Sequence, residues 1–204
     1  MKYLKILGLA AVAAMALMAF GAGTASATKL CKNNLSTTAC SEHYGVGTVV
    51  EGTLTGSAVL ETLGGSTIDT CTGSTMSGKT SNTAATGEEV KGSIETLSWT
   101  GCTFPTSTVT KGALDIGHIS GTDNGTLTAT NTEVTINSGI FGHCIYGAPA
   151  TGLDLGTVIG GHPPKITINA IVPLIKGEGF CPTEARWTAS YTVTKPTMFW
   201  VSHN

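Results

Sequence analysis

"RWTASYTV", residues 186–193, decides the fold class. Trp187, Ala189, Tyr191 and Val193 share one face of an extended chain, while Thr188, Ser190, Thr192 and, just beyond, Thr194 share the other. A two-residue period marks a strand buried on one side. Threonine suits the wet face: its branched β-carbon favours extended backbone and its hydroxyl tolerates water. The pattern recurs outward from this stretch. In "KITINAIV" (165–172), Ile166, Ile168, Ala170 and Val172 oppose Thr167, Asn169 and Ile171. In "EVTIN" (133–137), Val134 and Ile136 face inward, and Glu133, Thr135 and Asn137 face out.

The same reading places strands at 47–54, 58–63, 67–72, 90–99, 113–119, 125–130, 140–146 and 153–159, with a terminal one in "MFWVS". Turn signals separate them, among them "LGGS", "TDNG", "NSG", "GAP", "GGHPP" and "KGEG". Residues 31–44 read as an irregular segment tied by a disulfide, and 80–89 as a mobile loop. Helical periodicity is absent after residue 27. Many short strands at fairly even spacing imply an all-β, antiparallel sandwich or jelly roll.

The N-terminus carries an address. Lys2 and Lys5 precede an apolar run from Ile6 to Phe20, and Ala25-Ser26-Ala27 is a small-residue cleavage signal. This is the pattern of a secretory signal peptide cleaved after Ala27, leaving residues 28–204 as a single secreted domain, free or wall-associated. Thr28-Lys29-Leu30 before Cys31 does not make a lipoprotein lipobox. Losing Lys2 and Lys5 takes the formal charge from −2 to −4, and Arg186 is the only arginine. A nucleic-acid surface needs clustered Lys and Arg, so that class is set aside.

Cys31, Cys40, Cys71, Cys102, Cys144 and Cys181 follow the leader. An even count in an exported chain implies three disulfides, and six cysteines allow 15 pairings. The expected set is sequential: 31–40, 71–102 and 144–181. No two cysteines have the close CxxC spacing of a zinc site. His43, His118, His143, His162 and His203 show no HxH or HExxH spacing. His143 stands beside Cys144, which in a thiol enzyme would suggest an activated nucleophile; a disulfide at Cys144 removes that role. There is no GxSxG elbow.

One motif points elsewhere. "GSTMSGKT", residues 73–80, matches the phosphate-cradling P-loop at Gly73, Gly78, Lys79 and Thr80. A working cradle needs a helix opening directly after it, whose N-terminus and loop amides hold the phosphates. "SNTAATG" after Thr80 has no apolar stripe and ends in glycine. A chain rich in Gly, Ser and Thr assembles such a match by accident, and the expectation is a strand and turn with Gly73 and Gly78 at bends and no bound nucleotide or other cofactor.

Carboxylates that could serve a glycosidase are scattered; Asp115, Asp154 and Glu178 have no spacing that pairs them. "TDNG", Thr122 to Gly125, is a hairpin turn more simply than a calcium loop. Trp99, Trp187 and Trp200 would stack on sugars if they formed an exposed planar row, although Trp187 and Tyr191 fit an inward face.

"LKILGLAAVAAMALMAF", Cys31 with Cys40, "CTGSTMSGKT", "LSWTGC", "HCIYG" and "ARWTASYTVTKP" together resemble a group of exported, β-rich, six-cysteine proteins associated with actinobacteria. The resemblance implies a disulfide-bearing secreted domain and carries no active-site residues. The expectation is a non-catalytic extracellular module that is structural, adhesive or ligand-binding. The alternative is a secreted hydrolase or a carbohydrate-binding module acting on cell-wall or environmental glycans.

Overall fold

The computed structural model describes residues 27–34, 40–138 and 142–203. The expected signal peptide up to Ser26 lies outside them, as do residues 35–39 and 139–141, with Ile140, the expected start of a strand. The chain is all-β and antiparallel, as the alternation implied, and no helix among the described residues is long and apolar enough to cross a membrane.

Twelve strands form one sheet. In chain order they are β2 (Val49–Leu54), β3 (Ala58–Thr62), β4 (Thr67–Thr80), β5 (Val90–Cys102), β6 (Thr106–Thr110), β7 (Ala113–His118), β8 (Gly125–Thr130), β9 (Thr132–Ser138), β10 (Gly142–Ala148), β11 (Leu153–Ile159), β12 (Lys165–Gly177) and β13 (Glu184–Lys195). β1 (Thr28–Cys31) and β14 (Trp200–His203) make a separate two-stranded ribbon.

Four pairs of strands run on in line: β2 with β3, β6 with β7, β8 with β9, and β10 with β11. The twelve strands therefore act as eight long staves, each beside its neighbour in sequence. The last stave returns to the first. β13 pairs through Val59–Thr62 and through Glu51–Leu54, and both of these strands pair onward with β4. The facing layers are thus joined round both sides into an up-and-down barrel. Closure removes the unpaired edges that an open sheet leaves, and eight strands enclose a space just wide enough for side chains or one small ligand.

The inward faces hold the core. Trp187, Ala189, Tyr191 and Val193 point in from β13, and Ile166, Ile168, Ala170 and Val172 from β12, as the sequence indicated. Burying each large side chain stabilises by roughly 1.5–3 kcal/mol. One end is closed by the ribbon, whose Leu30 and Val201, with Phe199 just before β14, belong to one buried cluster with Val90, Leu127, Val158 and Val193. The other is closed by a second cluster, in which Leu60, Ile68, Ile136, Cys144, Tyr146 and Val172 pack with Phe104 and Leu174.

Several local expectations need correction. Residues 28–31 are a strand, although only irregular structure was expected near the first disulfide. β4 runs on to Thr80, beyond the expected end at residue 72. Thr106–Thr110 is a strand with no counterpart in the sequence reading. Thr135, expected on the wet face, is buried with its hydroxyl 3.1 Å from His143 Nε2. The 81–89 segment is pinned: Ala84 is 3% exposed in the core, Lys29 Nζ donates to its carbonyl at 2.7 Å, and Asn82 bonds both Glu89 and Lys91.

Candidate functional site

Small residues at mid-height leave the barrel incompletely filled. Ala58, Ala129, Ala148 and Gly147 face Met76, Leu97, Leu114 and Ile168 around a cavity of about 90 Å³. Its lining is almost wholly apolar. Trp99 and Trp187 form part of the wall, edge to face, with ring centroids 6.0 Å apart and planes at 62°.

The polar groups at its margin are already engaged. The buried Tyr191 hydroxyl donates to Ser74 Oγ at 3.0 Å, and Tyr146 donates to the Pro182 carbonyl at 2.9 Å. Burial pushes both hydroxyls up to about 12, with the Ser74 bond opposing the rise at Tyr191. Asp69, 3% exposed, accepts from the Thr70 and Phe104 amides at 2.9 and 3.1 Å and from Thr106 Oγ1 at 2.6 Å. These donors tie β4 to the β5–β6 turn and engage both carboxylate oxygens. Apart from Asp69, whose carboxylate already accepts three hydrogen bonds, and the hydroxyls of Thr106, Thr132, Tyr146 and Tyr191, the cavity offers apolar surface.

The cysteines pair sequentially: Cys31–Cys40, Cys71–Cys102 and Cys144–Cys181. Such bonds suit an oxidising compartment. With Cys144 bonded, His143 beside it instead bridges Thr135 and Asn137. Among the described residues, one trio of metal-capable side chains converges, Asp69, Cys71 and Cys102. Its two sulfurs are bonded to each other, which leaves a lone carboxylate.

"GSTMSGKT" lies along β4, hydrogen-bonded on both sides to β2 and β5 as far as Lys79 and Thr80. The glycines sit inside the strand rather than at bends. At Gly78, where the ladder shifts register, an added Cβ would lie 2.4 Å from the Ser93 carbonyl oxygen; at Gly73 it would meet Thr100 Oγ1. Cross-strand crowding accounts for both. Lys79 pairs with Glu95 at 2.7 Å, and the buried Thr80 hydroxyl donates to Gly45 O and accepts from the Thr48 amide. The segment 81–89 after it is not helical, so the amides of a phosphate cradle are absent here.

The scattered acids stay scattered. Asp115 and Asp154 each pair with Thr128 in register, on the outer face opposite the inward Leu127 and Ala129, and Glu178 lies in the exposed β12–β13 turn. None lines the cavity. Thr122 to Gly125 forms the β7–β8 turn, closed by Ile119 N donating to Asn124 O at 3.0 Å. Trp200 lies on the end ribbon, away from Trp99 and Trp187, so the three tryptophans make no planar row.

Sequence reasoning found the inward Trp187 and Tyr191 but missed Asp69, Ser74, Met76, Leu97 and Thr108. Alternation marks which face a residue is on. It does not mark which inward positions adjoin empty space. Compared with known proteins, the chain matches no family model, no curated protein and no solved structure.

Proposed function

We propose that this protein is an exported, non-catalytic module that takes up one small, uncharged apolar molecule inside its barrel. The supporting observation is the cavity itself: apolar side chains, two tryptophan rings and polar groups that already have partners. A charged ligand would lose its hydration there with nothing to replace it. An apolar one exchanges contact with water for contact with Met76, Leu97 and Trp187. The cleavable-leader pattern and three disulfides support a working place outside the membrane. Outward threonines and serines support a surface that faces water rather than lipid.

Bromobenzene is a suitable probe, being small, neutral and a heavy-atom quencher of nearby indoles. It should quench tryptophan fluorescence saturably below about 1 mM, a binding free energy near −4 kcal/mol. Ala129→Leu, which places three carbons in the cavity, should abolish the saturable component without unfolding the barrel. Quenching that rises linearly and equally in both proteins would refute the proposal.

A further inference from the structure

Among the described residues, the longest stretch where neighbouring staves lie side by side without a backbone ladder is between β5 and β6; a shorter one separates β12 from the β10–β11 turn. β5 pairs with β7 from Val90 to Ser93, and the Ile94 amide donates to Gly112 O at 3.2 Å. Beyond that point β5 pairs with β4 alone and β6 with β9 alone. The split begins at Gly112, whose φ of +65° turns the chain and where any Cβ would lie 2.1 Å from Thr130 O. The adjacent staves break at the same level. Asn131 has a φ of +51°, and the Pro149–Gly152 turn follows, with Thr132 Oγ1 donating to Lys111 O and Asn131 N to Pro149 O. β6, β9 and β10 therefore bend away together as a three-stranded flap.

The two margins of this flap are held very differently. β10 is joined to β12 by a ladder from Cys144↔Gly177 to Tyr146↔Leu174 and by the Cys144–Cys181 disulfide. β6 is anchored at its turn by Thr106 on Asp69. Between that anchor and Gly112, one side chain spans the gap. Thr108 donates to Leu97 O at 2.7 Å and accepts from Trp99 Nε1 at 3.2 Å. Leu97 and Trp99 line the cavity, and both are only partly buried, as is Met76, whereas Tyr191 and Leu127 in the same lining are 1% exposed. On the seam itself, Leu97 and Trp99 thus combine partial exposure with a place in the cavity lining.

We propose that the β5–β6 seam is the ligand's doorway and that Thr108 is its latch, a positioning residue that sets the rate of exchange rather than the affinity. This rests on the cavity reading above. Thr108 does not line the cavity; it acts on a bound molecule only by positioning Trp99 and Leu97, so its loss falls mainly on the barrier to entry and exit.

The test is stopped-flow tryptophan quenching by bromobenzene in the oxidised, full-length mature protein. Thr108→Val keeps the side chain's shape and removes both hydrogen bonds; association and dissociation should each quicken about tenfold, with Kd held within about twofold. Thr108→Ser restores a hydroxyl and should restore the slow rates; Thr108→Ala offers the same loss with less bulk. Thr75→Val, which breaks a 2.7 Å hydroxyl pair with Ser98 on the laddered side of β5, should leave both rates alone. Saturable binding with unchanged rates in Thr108→Val overturns the doorway. Faster dissociation alone, with weakened Kd, makes Thr108 a ligand contact and overturns the latch. If the unaltered protein shows no saturable quenching, the cavity reading itself fails and the doorway goes with it.

Discussion

Two walls of the same barrel are built by different means. The wall of β12, β13, β2 with β3, and β4 is laddered along its length: β12 and β13 pair from Lys165↔Thr192 to Pro173↔Glu184, and the inward residues between them are mostly buried. The wall of β6, β9 and β10 is interrupted at Gly112, Asn131 and Gly152, and it leaves a seam beside β5. Where backbone pairing is continuous, burial and hydrogen bonding follow from alternation alone. Where it is broken, individual side chains take over: Thr108 and Asp69 on one margin, and the Cys144–Cys181 bond on the other. The cavity lies between a continuously laddered wall and an interrupted one.

The largest effect is expected in the continuous wall. Gly78→Ala forces a methyl to within 2.4 Å of the Ser93 carbonyl oxygen, so the β4–β5 ladder must part; a loss of about 3 kcal/mol or more should appear in urea denaturation. A smaller loss, about 2–4 kcal/mol, is expected from the Cys144→Ala, Cys181→Ala double variant, which opens a bridge spanning 37 residues. Hydrogen exchange should show that loss at β10 amides first while β13 amides keep their protection. Equal loosening of both walls would mean that the flap has no separate identity.

Next is Tyr191→Phe, which leaves the buried Ser74 hydroxyl without its donor and should cost about 1–3 kcal/mol. It should also alter the alkaline limb. Tyr191 and Tyr146 are raised from 10.0 to about 12 in the folded chain, so folding favours their neutral forms. Their contribution is complete below pH 10 and falls away as pH rises through 12. Absorbance at 295 nm should show these two hydroxyls ionising late, and Tyr191→Phe should shallow the stability loss over that interval. The smallest effect belongs to Lys79→Gln. The Lys79–Glu95 pair is about half exposed on both sides, and losing it should change stability by no more than about 0.5 kcal/mol. Paired with Gly78→Ala, it separates a crowded strand from a phosphate site, in which the lysine would matter most.

Within the continuous wall, β12 and β13 were legible in the sequence because each alternates cleanly. Trp187 and Tyr191 could be read as inward from eight residues. The broken wall was harder. "TSTVT" has one apolar residue, Val109, and it points outward at 53% exposure, so β6 gives no alternation to detect. "GSTMSGKT", although it belongs to the continuous wall, has little β preference of its own; its neighbours β2 and β5 impose the strand, and the glycines are there because those neighbours come close. Asp69 and Thr108 gain their roles from residues brought beside them by folding, which no local pattern encodes. Closure of the barrel was equally hidden, since it depends on the register between the last stave and the first.

Diffraction at the bromine absorption edge, from crystals soaked in bromobenzene, addresses most directly whether this barrel holds a small apolar guest. One anomalous peak should lie inside the wall, against Met76, Trp99 and Trp187. A well-ordered barrel with bromine only on its outer surface would contradict it.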